Sequence, residues 1–129
     1  MHAEDTTAEA VLAAYANGQR LFSQLALPDG SDLSGCCLEG ANFHECFLTD
    51  INLKGANLRG ANFRRCNLKC SDFDDSDLMD AVIEECSIEC LSAHRCKIKG
   101  LQVRNCGCHS STDLGLEEFI ELAVNFPDS

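Results

Sequence analysis

Ala56-Asn57-Leu58-Arg59-Gly60 is followed directly by Ala61-Asn62-Phe63-Arg64-Arg65, and the two five-residue units match closely at every position except the last. The same unit recurs from residue 31 to residue 110, in sixteen consecutive copies. We call its third residue, usually Leu or Phe, the centre of the unit. Centres follow one another every five residues from Leu33 to Val103. An internal repeat of this regularity predicts a solenoid.

The residue two positions before each centre is small or apolar, as at Ala41, Cys46 and Ile51. In an extended chain, residues two apart point to the same side, so the centre and this residue are both predicted to face inward. The other three positions then face water. Because five is neither a helical nor a strand period, the chain is expected to turn once per unit and to wrap into a tube.

A second period, of twenty residues, predicts that four units make one coil. The alanines at 41, 61 and 81 share one inward position. A neighbouring inward position forms what we call the cysteine column, which consists of Cys46, Cys66, Cys86 and Cys106.

Formal charge alternates with the same period. The four blocks of twenty residues from 31 to 110 carry net charges of −4, +5, −8 and +4. Coils stacked about 4.8 Å apart would place each basic block against acidic neighbours, and opposite charges on adjacent strands attract. The expected cross-coil pairs are Glu39 with Arg59, Lys69 with Glu89, and Glu84 with Arg104.

The units at 56–60 and 61–65 resemble the repeats of the pentapeptide-repeat proteins, and the resemblance covers 80 of the 129 residues. It implies an all-β solenoid, a right-handed quadrilateral β-helix of about four coils. With the helices predicted at its two ends, the chain divides into a capping helix and entry turn at 1–30, the repeats at 31–110 and an amphipathic helix at 111–129. Some members of that family imitate duplex DNA in size and charge, bind DNA gyrase and protect it from quinolones.

Before the repeats, the sequence predicts a helix over about residues 7–17 that covers the open end of the solenoid. Thr6, with Glu9 three residues later, has the pattern of a capping box. Phe22 and Leu27 look like two further centres. The turn-forming residues 28–30, Pro-Asp-Gly, then absorb one extra residue before the regular repeats begin.

After the repeats, an amphipathic helix is predicted to begin behind Thr112-Asp113. Its apolar arc is wider than the end of a solenoid needs, which favours a homodimer formed through this helix. The alternative is a helix that only caps the end. The residues predicted for the dimer contact are Leu116, Phe119, Ile120, Leu122 and Phe126.

The ten cysteines differ in their positions within the repeat. Thiols in a straight ladder about 4.8 Å apart cannot all converge on one zinc ion, so the cysteine column is predicted to be core packing. Cys70 and Cys90 face outward on successive coils and are predicted to be the accessible, most reactive pair. His44, His94 and His109 also occupy outward positions, and we expect them to be exposed surface histidines.

At 129 residues with 45% hydrophobic content, the chain supports one domain with a core. It contains no apolar run of membrane-spanning length and no basic-then-apolar leader, so a cytoplasmic protein with reduced thiols is expected. The net charge of −11 argues against direct binding to nucleic acid or to an anionic membrane.

None of the familiar catalytic, phosphate-binding or metal-binding motifs is present in the sequence. We therefore predict a non-catalytic scaffold, without a cofactor, that binds an unidentified protein partner. Two alternatives are a DNA mimic that binds gyrase and a thiol-based redox or metal-binding protein. The basic blocks argue against the first, because they interrupt a continuous negative surface, and the inward cysteines argue against most of the second.

Overall fold

The structure, a computed structural model, describes residues 6–108 and 111–124. These residues form a β-solenoid of about four turns with a helical segment at each end. In chain order the elements are α1 (Ala8–Ala16), β1 (Leu21–Ser23), β2 (Asn42–His44), β3 (Asn62–Arg64), β4 (Val82–Glu84), β5 (Gln102–Arg104), β6 (Cys106–Cys108), β7 (Ser111–Leu114), α2 (Leu116–Phe119) and a π-helix (Ile120–Val124).

Strands β1 to β5 form one side of the solenoid, in sequential order and all parallel. Phe43 pairs with Phe63 and Ile83 pairs with Val103, each twenty residues further along the chain. Three more rows of parallel bridges connect the turns, through residues 26–107, 32–92 and 37–97. Four rows of contacts in each turn of twenty residues confirm the predicted arrangement of four units per coil.

The first turn of the solenoid contains one residue more than those that follow. Phe22 pairs with Phe43, twenty-one residues later, whereas Asp32 bridges Asn52 at the regular spacing of twenty. The extra residue is accommodated at the predicted turn, where Gly30 has a φ of +83° that other residues rarely adopt. Phe22 is therefore a centre of the solenoid, as the sequence predicts.

The chain turns a corner two residues after each centre, with its backbone in the left-handed region. Gly60 has a φ of +67° there, and Arg65, at the next corner, has a φ of +54°. Glycine adopts this conformation without strain, while other residues lose about 1–2 kcal/mol each. Because Asp, Glu, Arg and Cys also occupy these corners, the hydrogen bonds between turns and the buried centres must hold the backbone in place.

The interior is filled by the centres and by the residues two positions before them. Phe22, Phe43 and Phe63 stack in a column, with ring centroids 5.3 and 5.2 Å apart. Phe73 meets Phe63 edge-on at 5.8 Å. The buried hydroxyl of Ser71 donates to the Leu48 carbonyl, so this inward polar group is satisfied within the core.

Helix α1 lies against the beginning of the solenoid and starts one residue later than predicted. Its N-cap is Thr7, whose Oγ1 accepts a hydrogen bond from the N–H of Ala10 at 3.1 Å. The predicted cap, Thr6, is instead buried. Val11 joins the core, and the Tyr15 hydroxyl donates to the Glu39 carbonyl at 2.7 Å. These contacts tie the helix to the first turn.

Within residues 111–124, the C-terminal helix does not begin where the sequence predicts. Thr112 and Asp113, the predicted cap, lie in β7, which pairs antiparallel with β6. Helix α2 begins after Gly115, whose N–H donates to Glu118 Oε1 at 2.7 Å. The predicted helix start is therefore wrong. The residues predicted to begin the helix form a strand instead, because they pair with β6, and this pairing is a tertiary contact that local sequence does not show.

Helix α2 and the π-helix lie against the last turn of the solenoid. Phe119 is fully buried, and the carbonyl of Ala123 accepts the backbone N–H of Ala93 at 2.9 Å. Ala93 is a centre that is Ala rather than Leu or Phe, and its backbone N–H is paired with the C-terminal segment instead of with a further turn. The predicted positions His109 and Phe126 lie outside the described residues.

Candidate functional site

The thiols of the cysteine column lie inside the solenoid and are 0–2% exposed. Cys66 Sγ is 3.3 Å from the Phe43 carbonyl oxygen, and Cys86 Sγ is 3.2 Å from that of Phe63. Cys46 and Cys106 make equivalent contacts, each with a backbone carbonyl that lies one turn earlier in the chain. The column is therefore hydrogen-bonded core packing.

Contacts between neighbouring thiols and burial shift the pKa values within the column. The hydrogen bond with Cys46 lowers the pKa of Cys66, but its hydrogen bond with Cys86 and its burial outweigh that effect and raise it to about 12. The hydrogen bond with Cys66, together with burial, raises the pKa of Cys46. Since the thiolate is the nucleophile and the metal ligand, these cysteines are poorly suited to either chemistry.

Cys70 and Cys90 are exposed and occupy equivalent corners of successive turns. Their φ values are +60° and +59°, and the N–H of Cys70 donates to the Glu89 carbonyl at 2.9 Å. Partial desolvation and a hydrogen bond with Cys90 raise the pKa of Cys70, and the Asp50 carboxylate adds to the effect. The structure thus brings the two predicted thiols together at the surface.

All ten cysteines lie in the described part of the chain, and all are free thiols. Outside the column, Cys108 is buried and the half-buried Cys96 donates to the Phe73 carbonyl at 2.8 Å. Within residues 6–108 and 111–124, no three His, Cys, Asp or Glu side chains are arranged to hold a metal ion.

Two of the three predicted cross-coil ion pairs are present. Lys69 Nζ lies 3.7 Å from Glu89 Oε2, and Arg104 Nη2 lies 3.4 Å from Glu84 Oε1. Both pairs join residues exactly one turn apart in the alternating charge pattern. The charge alternation therefore corresponds to real contacts between turns.

The prediction of the third pair, Glu39 with Arg59, is wrong. Arg59 Nε lies 3.7 Å from Asp77 Oδ2, on the turn that follows, while Glu39 Oε1 accepts from Asn57 Nδ2 at 3.1 Å. Arg59 has an acidic turn on either side of it, so the direction of its side chain decides which carboxylate it meets.

His94 belongs to a polar cluster that sequence reasoning missed. Its side chain is only 16% exposed, and Nδ1 lies 3.4 Å from Asp74 Oδ1 and 3.0 Å from Ser92 Oγ. Ser92 Oγ and the backbone N–H of His94 also donate to that same carboxylate oxygen. Burial would raise the pKa of Asp74, but these hydrogen bonds and the nearby His94 ring hold it below its usual value.

The expectation of an exposed surface histidine is therefore wrong for His94, whereas the side chain of His44 is 44% exposed. The signal for the cluster was present in the sequence, because Asp74 and His94 are twenty residues apart at the same position of the repeat. The arrangement is not a proton relay from Ser92 through His94. Ser92 and Asp74 both face the same ring nitrogen, whereas a relay places them on opposite nitrogens.

A cleft of about 330 Å³ opens where the C-terminal segment meets the last turns of the solenoid. Apolar side chains form most of its lining, to which His94 and two thiols also contribute. The lining residues are Ile88, Cys90, Leu91, Ser92, His94, Cys108, Leu122 and Ala123.

The residues predicted for a dimer contact differ in how deeply they are buried. Phe119 is fully buried and belongs to the end cap. Leu116 and Ile120 are half-buried, whereas Leu122, beside the cleft, is 41% exposed. Among the described dimer candidates, Leu122 is therefore the apolar side chain best placed to meet another molecule.

No helix within the described residues has the length and apolar character needed to cross a membrane.

The family model described as "Pentapeptide repeat region" matches residues 30–103 of the chain. No curated protein sequence matches this chain.

Three solved structures illustrate what the chain is similar to. Rfr23, a pentapeptide repeat protein from the cyanobacterium Cyanothece 51142, is 27% identical with a TM-score of 0.65, and the match covers 70% of this chain and 63% of that one. The pentapeptide repeat protein alr5209 from Nostoc Pcc 7120 is 26% identical with a TM-score of 0.46 over 84% of each chain. QnrB1, a plasmid-mediated fluoroquinolone resistance protein, is 16% identical with a TM-score of 0.37, over 81% of this chain and 69% of its own. The chain thus spans less than two thirds of the length of Rfr23.

Proposed function

We propose, since this chain belongs to the pentapeptide repeat family, that it is a non-catalytic scaffold whose C-terminal end binds another protein, namely a second copy of the same chain. The proposal rests on one observation. Leu122, an exposed leucine, stands beside an apolar cleft that it helps to line. An exposed leucine at the mouth of an apolar cleft makes a self-complementary contact when a two-fold axis brings the two leucines and the two clefts together.

Charge at this end of the molecule supports the same partner. Glu117 and Glu121 are exposed on the C-terminal segment, and Lys97 and Lys99 are exposed on the last turn. Because both signs of charge are present at this end, acids of one chain are able to pair with bases of a second copy. Such rim charges would orient the two copies and speed their encounter more than they would strengthen the complex.

The experiment is sedimentation velocity of the wild type and of Leu122→Glu at matched concentrations. Burying one leucine is worth about 1.5–3 kcal/mol, and a two-fold interface repeats the contact, so the wild type should be a dimer and Leu122→Glu mostly a monomer. Phe47→Glu is the matched control. Phe47 is 60% exposed but lies on a side of the solenoid, so this variant should remain a dimer.

Circular dichroism of all three proteins checks that the solenoid stays folded. A wild type that is monomeric at high micromolar concentration would overturn the dimer. Equal dissociation of the two variants would also contradict it, because the added negative charge, and not the position of Leu122 at the cleft, would then explain the result.

The DNA-mimic alternative is tested separately in a gyrase supercoiling assay. Ion pairs between basic and acidic turns, such as Lys69 with Glu89, interrupt the continuous negative surface that such mimicry needs. We expect no effect on supercoiling at low micromolar concentration of the protein. Inhibition in that range would favour the mimic over the scaffold.

A further inference from the structure

Corner positions on successive turns bring side chains into contact. Arg65 and Glu85 are corner residues one turn apart, with φ values of +54° and +55°, and their side chains lie 3.8 Å apart. Arg95 and Asp75 are a second such pair. Arg95 donates to both carboxylate oxygens of Asp75, at 2.8 and 3.2 Å. The left-handed corner therefore directs a side chain towards the equivalent side chain of the next turn.

Cys70 and Cys90 form a pair of the same kind. They are exposed corner residues twenty positions apart, with φ values that match those of the ion-paired corners. Adjacent parallel strands set equivalent Cα atoms about 4.8 Å apart, within the range of about 4.4–6.8 Å that disulfides span. Parallel Cβ atoms at that spacing lie just beyond the usual separation of about 3.5–4.5 Å, so closing the bond requires the two exposed corners to approach slightly. We infer that Cys70 and Cys90 are a modification site, where an oxidant of the peroxide class closes a disulfide between neighbouring turns.

The chemistry balances with one molecule of hydrogen peroxide. The thiolate of one cysteine attacks a peroxide oxygen, the O–O bond breaks, and the products are a sulfenic acid and, after proton uptake, water. The second thiol then attacks the sulfenic sulfur. The S–S bond forms, the S–O bond breaks, and a second water leaves. Two thiols are oxidised by losing two hydrogen atoms, and the peroxide is reduced to two waters.

The cysteine column provides an internal comparison, because its thiols are also one turn apart. Cys66 and Cys86 are 2% and 1% exposed, and each donates to a backbone carbonyl of an earlier turn. An oxidant in solution reaches exposed thiols and not these buried ones. Exposure therefore directs the reaction to the corner pair. Cys90 also lines the cleft of the proposed dimer, which would shield its thiol, so the oxidation is tested at a concentration at which the protein is monomeric.

The test treats the folded wild-type protein with hydrogen peroxide, blocks the remaining thiols with N-ethylmaleimide, and maps peptides without reduction. Trypsin and Glu-C together isolate Cys70 in peptide 70–84 and Cys90 in peptide 90–95. We expect these two peptides to be joined by a disulfide. The intact protein should be lighter by two hydrogen atoms, and neither cysteine should carry a maleimide adduct. The linked protein should also melt at a higher temperature than the reduced one, because the cross-link restricts the unfolded chain.

Two variants separate this site from general oxidation. Cys70→Ser should abolish the link and the rise in melting temperature, whereas Cys37→Ser, which changes an exposed thiol elsewhere, should keep both. The inference is overturned if wild-type Cys70 and Cys90 both remain reactive towards maleimide after peroxide. It is equally overturned if they are recovered as sulfinic acids or in links to other cysteines.

Discussion

The ring of Phe22 stacks on the ring of Phe43 with their centroids 5.3 Å apart, although one residue more separates them than separates Phe43 from Phe63. The aromatic column therefore continues across the irregular first turn. Ile83 and Val103 extend the same row of centres to the other end of the sheet. This row passes through all five parallel strands, so it should contribute strongly to stability.

Phe43→Ala should lower the free energy of unfolding by about 3–5 kcal/mol, because it leaves a cavity between two stacked rings. Phe47→Ala removes a ring of the same size that is 60% exposed, and it should change stability by less than about 1 kcal/mol. Urea denaturation of the two variants gives the comparison. Similar losses in both would show that the aromatic column has no special role.

Reversing the charge of one basic turn should lower the urea midpoint. Replacing Arg59, Arg64 and Lys69 together by Glu would place acids between two acidic turns. The native pairs of Arg59 and Lys69 are partly exposed and should contribute only about 0.2–1 kcal/mol each, so repulsion should account for much of the loss of stability. Replacement of the same three residues by Gln measures the lost attraction alone. An unchanged midpoint in the Glu variant, at low salt, would show that the charge alternation does not stabilise the solenoid.

Native thiol labelling should separate the cysteines by burial. Cys70 and Cys90 should react with maleimide quickly, whereas Cys46, Cys66 and Cys86 should react only after unfolding in urea. All three inward thiols are buried. The pKa of Cys66 is raised to about 12, so mildly alkaline pH should not deprotonate the Cys66 thiol. Rapid labelling of Cys66 in the folded protein would contradict the core-packing role.

Asp74→Asn should destabilise the protein at neutral pH and make little difference in acid. The folded pKa of Asp74 lies below its usual value, so its ionised form stabilises the folded state above the ordinary carboxyl pKa of about 4. That contribution is lost as the pH falls through the lower, folded pKa. At pH 7 the loss should be about 1.5–3 kcal/mol, the typical value for hydrogen bonds to a charged group.

The measurement for Asp74 is a series of urea unfolding curves between neutral and acidic pH. Asp50→Asn changes an exposed corner aspartate and serves as the control, with an expected effect below about 0.5 kcal/mol at each pH. A wild-type advantage that stayed constant into strong acid would show that the Asp74 effect does not come from its charge.

The sequence by itself determined the solenoid, its four units per turn, the inward cysteine column and the turn at residues 28–30. It could do so because each unit repeats the same inward and outward positions, so one pattern fixes every turn. The period of twenty also contained two of the three cross-coil ion pairs. A pair can be read from spacing when both side chains have one evident partner.

Only the tertiary structure decided which acid Arg59 meets and that the side chain of His94 is largely buried. The spacing of twenty residues places His94 beside Asp74 on the neighbouring turn, but side-chain direction and the covering of the last turn are not encoded in the period of the repeat. The same holds for the C-terminal end. Thr112 and Asp113 have the local preferences of a helix start, yet they form a strand because β6 offers a hydrogen-bonding edge to residues 111–114. Pairing energy between segments outweighs local preference there, as it does at the left-handed corners, where Arg and Cys adopt a conformation that neither favours in isolation.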